Sequence, residues 1–412
     1  MADMKPQIGL WSTVAIGMAA MLGAGVFVVF RDAYRLAGPW FYLALFVAAL
    51  VASLNAASVY QLARQVDRPG GTYAYARVYQ NDHWSFAAGF AFVFGKIGSI
   101  AAIALVFGEY AFPQNKQVVA VVAIFTMVLV NILGIQRTAG VAAVLAITTT
   151  GFLLFAISVA PTFQGHSAPA PAHAFDGLTP FSVLTAASVI FFAFAGYARV
   201  ATLGNEVREA KRNVPKAIAI SLSSVLLIYL GLAISLQFVL GHSIVTTEAP
   251  FMAYFSLLNL KLDWLVLIVA SAASLGSILA LLAGVSRTAA EMASDAELPA
   301  FFKLRNRFSA PWVAEVVIAL GASALVTIGN LSWVIGFSSF SVLFYYAIAH
   351  LSALGQPKTQ RLLPVALPIL GLILCAVLAF SVPGPAAAVS TVILVAVMAI
   401  RWVAKRGKRQ LS

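Results

Sequence analysis

Ile16-Gly-Met-Ala-Ala-Met-Leu-Gly-Ala-Gly-Val-Phe27 lies in the first long apolar segment of the chain, and its Gly23-Ala24-Gly25 core decides how the fold is read. The segment is hydrophobic enough to cross a bilayer, yet the glycines weaken its helix at mid-depth. A break there frees backbone N–H and C=O groups where no water can receive them. Such groups are tolerated only when they are buried in protein or line a cavity that holds something polar.

The rest of the chain has the same character. Of 412 residues, 61% are hydrophobic and only 10% charged, with a mean hydropathy of +0.94. A soluble domain averages about 45–50% apolar and about 25% charged residues. Windows of roughly 20 residues predict about twelve transmembrane helices, over 11–30, 39–60, 84–110, 117–134, 139–160, 181–204, 214–240, 263–290, 312–329, 332–354, 362–380 and 385–403. The segments are continuously apolar and not alternating, which excludes a strand-built barrel. The expected class is an all-α integral membrane protein.

Basic residues orient it. With the N-terminus in the cytoplasm, about 21 of the 26 Lys and Arg fall on that side. They include Arg64, Arg68 and Arg77, the group Arg208 to Lys216, Lys303 to Arg307, and the tail Arg401 to Arg409. Arg31, Arg35, Lys116 and Lys261 fall opposite. Both termini are therefore expected in the cytoplasm of a multi-pass cell-membrane protein. The net charge of +12 reads as this bias plus attraction to anionic lipid head groups, not as nucleic-acid binding. Met1 to Pro6 leads into a full-length span with no small-residue cleavage site, so no removable signal peptide is expected. The lone Cys375 allows no intramolecular disulfide.

A second weak point recurs in the sixth segment. Gly196 lies about midway in Phe181 to Gly204, and Arg199 follows within a turn, where a charge is costly unless the apolar helix ends early. Either glycine site alone is satisfied by close helix packing. Together, in segments one and six of about twelve, they match five spans repeated with opposite topology. In such folds half-helix N-termini face an anionic group and freed carbonyls hold a cation. An α-amino acid zwitterion fits that geometry.

The order and spacing of several motifs then make the chain resemble the amino acid-polyamine-organocation superfamily of permeases over nearly its whole length. They are Leu22-Gly-Ala-Gly-Val-Phe27, Gln61 to Tyr75 with Pro69-Gly-Gly-Thr72, Phe191-Phe-Ala-Phe-Ala-Gly196, Glu206-Val-Arg208, Asn213-Val-Pro-Lys-Ala217 and Ser286 to Pro299. The resemblance implies a five-plus-five inverted repeat with discontinuous helices one and six. Its parts would be 1–160, 161–355, and two extra helices with a basic tail over 356–412. It implies substrate contacts at Met21, Gly23, Ala24 and Gly25, whose backbone receives the carboxylate. Carbonyls around Phe191, Ala193, Phe194 and Gly196 would receive the ammonium, with Phe194 as an aromatic gate. The function implied is secondary transport of amino acids by alternating access. A carrier of other organic amines, cationic amino acids included, and a non-transporting sensor with the permease fold are the alternatives.

Three positions depart from the family pattern. Gln61 stands where Glu is common. Thr149 stands where many members have a segment-five lysine that substitutes for sodium. Ala198 stands where many have an acidic residue. Coupling to protons or sodium is thereby left open.

Four further residues are coupling or gating candidates. Lys96 lies near mid-depth in Gly95-Lys-Ile-Gly-Ser99 and reads as a proton carrier, because burial disfavours a charged amine, as a fixed cation, or as a side chain that snorkels to an interface or is neutralised by backbone carbonyls. A charged Lys96 and a non-acidic Ala198 favour neutral cargo. Glu109 near the outer end of segment three is a gate residue or a solvated one. Ser274, with Ser271 and Ser277, would offer hydroxyls to a sodium ion, unless these bond their own backbone. Thr149 is the fourth. Glu206, Arg208 and Arg199 read as cytoplasmic gate contacts or a solvated helix end. Five scattered histidines and no phosphate-loop motif leave no metal site, enzyme centre or nucleotide-driven pump to expect.

Overall fold

A computed structural model describes residues 8–66, 70–133, 139–171, 175–197, 200 and 207–410, with the side chains of 139–143, 145, 146, 197 and 404–410 excepted. The described residues form helices joined by turns and loops, and the two β-contacts among them are isolated bridges. The chain is an all-α integral membrane protein.

The first apolar segment is indeed not one helix. Helix α1 (Leu10–Met21) ends at mid-segment, a 3-10 turn spans Ala24–Phe27, and α2 (Val29–Ala37) follows. Then come α3 (Phe41–Ala63), the short α4 (Thr72–Tyr79), α5 (Asp82–Ala111), α6 (Lys116–Ile132) and α7 (Ala139–Val159). The sixth segment is shorter than its apolar run: α8 (Pro180–Phe194) stops in a 3-10 turn, Ala195–Tyr197. The remaining elements are α9 (Ala210–Leu240), α10 (Pro250–Leu257), α11 (Asp263–Ser294), α12 (Trp312–Ile328), α13 (Leu331–Leu354), α14 (Ala366–Phe380) and α15 (Ala386–Gln410). Among the described residues, eight spans are long and apolar enough to cross a membrane, and four shorter apolar helices accompany them.

Local chemistry sets several boundaries. Thr179 and Ser182 form a reciprocal capping box that starts α8, with Pro180 at its first position. Asn330 caps α13 by accepting from the Trp333 amide at 2.9 Å, which lets α12 and α13 reverse within two residues. Gly70 and Gly71 have φ of +113° and +56°, a region that L side chains avoid, and so turn the chain from α3 into α4.

Helix α5 runs through the centre, packed along α13 and α11, while α8 packs on α2 and α3 and α1 packs on α9. Gly95 and Gly98 make the α5–α13 approach. A Cβ on either would come within 2.8 Å of Ser341 or Phe337. The outer surface is apolar, with Val118, Val122, Ile147, Leu154, Leu227, Ile234, Leu320, Val392 and Val395 all exposed. A face that would aggregate in water is a lipid contact here. The exposed tryptophans Trp11, Trp40, Trp84, Trp264, Trp312 and Trp402 stand at or near helix or span ends, as interfacial anchoring predicts.

Candidate functional site

The site is built where the two helix breaks meet. The ladder of α1 ends with the Leu22 amide on the Met18 carbonyl at 2.7 Å, and Gly23 turns extended at φ −69°, ψ −160°. A 3-10 turn offers its first N–H groups no acceptor within the turn, so the Ala24 and Gly25 amides lie at its open end. Gly23, Ala24 and Gly25 are all buried.

Both glycine positions are crowded for packing reasons. A Cβ on Gly25 would lie 3.3 Å from the Phe192 ring and 3.5 Å from the Ala193 Cα. A Cβ on Gly23 would strike the Ser277 hydroxyl of α11. On the other break, a Cβ on Gly196 would strike the Ala20 carbonyl and the Met21 amide of α1. The structure thus brings Gly25 against Phe192 and Ala193, and Met21 against Gly196, while Gly23 faces α11.

Four carbonyls at the α8 break have partners among the described residues. Those of Phe191 and Phe192 accept from the Ala195 amide. The Ala193 carbonyl lies 3.1 Å from the Tyr229 hydroxyl, which also donates to the Met21 carbonyl at 2.6 Å. The Ala195 carbonyl accepts from Lys96 Nζ at 3.2 Å. Tyr229 of α9 therefore bridges the ends of α1 and α8. The sequence offered no sign of this, since Tyr229 is a single tyrosine in an apolar run. Phe194 is fully buried with its ring 4.9 Å from that of Tyr229, and Phe191 meets Tyr346 edge-on at 6.1 Å.

Lys96 is buried and reaches the break, so it is not a snorkelling side chain. Ser274 is fully buried on α11, its hydroxyl without a hydrogen-bond partner among the described residues. It lies one turn before Ser277, the serine against Gly23. Thr149 is buried on α7, which packs along α1 and α11. Ala198, Arg199 and Glu206 lie outside the described residues. The Arg208 amide bonds the Ile8 carbonyl at 2.9 Å, joining the start of the chain to the segment before α9.

Glu109 is not a solvated end. It is buried and pairs with Lys116 at 3.2 Å and with Arg31 at 3.7 Å. Arg31 also binds Asp32 at 2.8 Å and the Glu248 carbonyl at 3.0 Å, and Ser332 donates to Asp32 at 2.8 Å. This cluster ties α2 to α5, α13 and the segment before α10. At the opposite end Arg77 pairs with Asp295, and Arg401 forms two 2.7 Å bonds to Glu297. Arg401 is buried in this pair. The side chains of Lys405 to Arg409 lie outside the described residues.

Gln61 has a role that a carboxylate would fill only in part. Its carbonyl oxygen accepts from the Leu362 and Leu363 amides at 2.9 and 2.8 Å, while its NH2 donates to Gln356. Gln61→Ala strands the buried Gln356 side chain and frees the Leu362 and Leu363 amides at a more exposed edge, and an unpaired buried polar group costs about 1–3 kcal/mol. The expected result is a lowered melting temperature of the detergent-solubilised protein, with Gln61→Glu recovering the two amide bonds.

A family model described as "Amino acid permease" matches residues 8–407. An uncharacterized transporter of Mycobacterium tuberculosis is 39% identical over 425 aligned residues, which cover 99% of this chain and 94% of that protein. Cationic amino acid transporter 6, chloroplastic, of Arabidopsis thaliana is 24% identical over 84% of this chain and 65% of its own length. The crystal structure of MhsT in complex with L-phenylalanine matches with a TM-score of 0.61 and 16% identity, over 96% of this chain and 99% of that one. That likeness concerns the fold, which fits a five-plus-five inverted repeat.

Proposed function

Because the chain belongs to the amino acid permease family and is an amino acid transporter, we propose that it is a secondary carrier of neutral amino acids working by alternating access around the two helix breaks. One observation carries this reading: the α1 and α8 breaks are in direct backbone contact, with their freed carbonyls held by the Tyr229 hydroxyl. The substrate carboxylate would take the amides of Gly23, Ala24 and Gly25. Its ammonium would take the α8 carbonyls, with Met21, Phe191 and Phe194 around the side chain. Burial of the Lys96 cation beside this site disfavours a second cation there.

The two ion-pair clusters act as opposed latches. Arg31 to Lys116 closes the end away from the basic loops, and Arg77 to Arg401 closes the cytoplasmic end, with both termini on that side of the cell membrane. Glu109→Gln leaves Lys116 and Arg31 without their shared carboxylate, which weakens the outer latch. The expected result is a loss of flux of about tenfold. Glu248→Gln, a change at an exposed side chain, leaves flux unchanged.

The deciding experiment uses proteoliposomes holding the full chain and a mixture of uniformly 14C-labelled L-amino acids. Accumulation competed by unlabelled L-phenylalanine or L-leucine supports the proposal. Absence of any flux or exchange overturns it. The names of the Arabidopsis relatives favour a second reading, carriage of cationic amino acids, and competition by L-lysine alone would select it. Replacing sodium by choline in the same vesicles reads the coupling: dependence that Ser274→Ala abolishes supports a sodium ion beside Gly23, and independence removes that role.

A further inference from the structure

We propose that Lys96 is a tethered stand-in for the substrate's ammonium: it holds the Ala195 carbonyl in the empty carrier and leaves when the substrate's own ammonium arrives. This rests on reading the paired breaks as an amino acid site.

The contact joins two parts of the molecule that are anchored separately. Lys96 projects from α5, an unbroken helix over Asp82–Ala111. Its rotation is fixed by Gly95 and Gly98 against α13, and by the Ser99 and Ser338 hydroxyls, 2.8 Å apart. Ala195 belongs to the end of α8, whose Gly196 rests on the α1 backbone. The bond from Lys96 Nζ to the Ala195 carbonyl, 3.2 Å long, therefore crosses from the α5–α13 pair to the paired breaks. Any rocking of the breaks against α5 must break or re-form it.

Its chemistry is that of the ligand it replaces. Both groups are primary ammonium ions, and both seek carbonyls at the C-terminal end of a half-helix, where the helix dipole is negative. Among the described residues no carboxylate lies within ion-pair distance of Lys96, so the end of α8 is the partner the structure gives its charge. The Ala195 carbonyl has a second lone pair, but two cations sharing it would repel strongly in so dry a site. Occupancy by Lys96 and by the substrate ammonium is mutually exclusive.

A consequence follows for the transport cycle. An empty carrier whose α8 carbonyl lacks a cation must carry an unsatisfied polar group through the bilayer core during its return. Lys96 removes that penalty. The empty carrier can therefore reorient, and the protein performs net uptake as well as exchange.

The test uses proteoliposomes of the full chain and the same 14C-labelled L-amino acid mixture, in two modes. Exchange is measured into vesicles preloaded with unlabelled amino acids, and net uptake into empty vesicles. The wild type is expected to show both at rates of the same order. Lys96→Met is expected to keep exchange and lose net uptake by about tenfold or more, the fold-change carried by a hydrogen bond to a charged group. Lys96→Arg, which keeps the cation, retains net uptake. Wild-type exchange without net uptake overturns the role of Lys96, and so does a Lys96→Met protein in which both modes fall equally or neither changes. The wild-type and Lys96→Arg measurements decide the matter if Lys96→Met does not fold. A wild type that carries no label in either mode overturns the amino acid reading itself, and this inference with it.

Discussion

Gly196→Ala is expected to abolish transport while the protein still inserts. The added methyl meets the Ala20 carbonyl and the Met21 amide, which are main-chain atoms of the last turn of α1. No flexible side chain stands there to move aside. The breaks must separate by about an ångström to reach ordinary van der Waals contact, which lengthens the reach of Tyr229 to both carbonyls. Over-packing of this kind costs about 1–3 kcal/mol, and here the strain falls on the surface at which α1 and α8 meet. Gly25 is the instructive comparison. Its added Cβ would meet mainly the Phe192 ring at 3.3 Å, and a ring can shift. Gly25→Ala is therefore expected to be milder than Gly196→Ala, while Gly25→Leu fills the amide cradle and removes flux. Gly151, with nothing within 4 Å of an added Cβ, is the silent control. Size-exclusion profiles and proteoliposome flux read all four variants. Near-normal flux in Gly196→Ala would mean that contact between the breaks is not part of the cycle.

Those two breaks were also what the sequence made legible. A glycine at mid-depth of an apolar segment is a local feature, and its recurrence five segments later needs only counting. Helix lengths were legible for the same reason, because a bilayer sets them. The break in the sixth segment was expected near Gly196, and α8 ends at Phe194, two residues before it. Partners were not legible. Tyr229 lies 208 residues from Met21, and Gln61 lies 295 from Gln356. Only packing brings such pairs to hydrogen-bond distance. Lys96 shows the boundary between the two kinds of knowledge. Its depth announced a constrained charge, whereas the carbonyl that receives it could be named only once α5 and α8 were in place. Glu109 could equally have been a solvated helix end until burial against Arg31 and Lys116 decided otherwise. The short helix α4 went unread because Thr72–Tyr79 is neither long nor uniformly apolar.

Tyr229→Phe isolates the bridge between the breaks from the packing around it. The ring stays: it lies 4.9 Å from Phe194 and 5.7 Å from Phe30, edge-on to the latter, and phenylalanine preserves both contacts. What is lost is one proton between two carbonyls. The 2.6 Å distance to Met21 against 3.1 Å to Ala193 makes the α1 bond the stronger. Without the hydroxyl, two helix ends face each other with like partial charges and no water to separate them. Stranding those acceptors costs about 1–3 kcal/mol. The expected results are a lower melting temperature in detergent and a flux reduced about tenfold. A cation is the one other group that two facing carbonyls can share, as they do at broken helices that coordinate sodium. Sodium is therefore expected to restore part of the lost stability in Tyr229→Phe, and to leave the wild type, whose carbonyls are already bridged, unaffected at this position. Unchanged melting and unchanged flux in Tyr229→Phe would show that α1 and α8 are held by glycine packing alone. Sodium stabilisation of the wild type that Tyr229→Phe leaves unaltered would place the ion elsewhere, with the unpartnered Ser274 hydroxyl as the next position to remove.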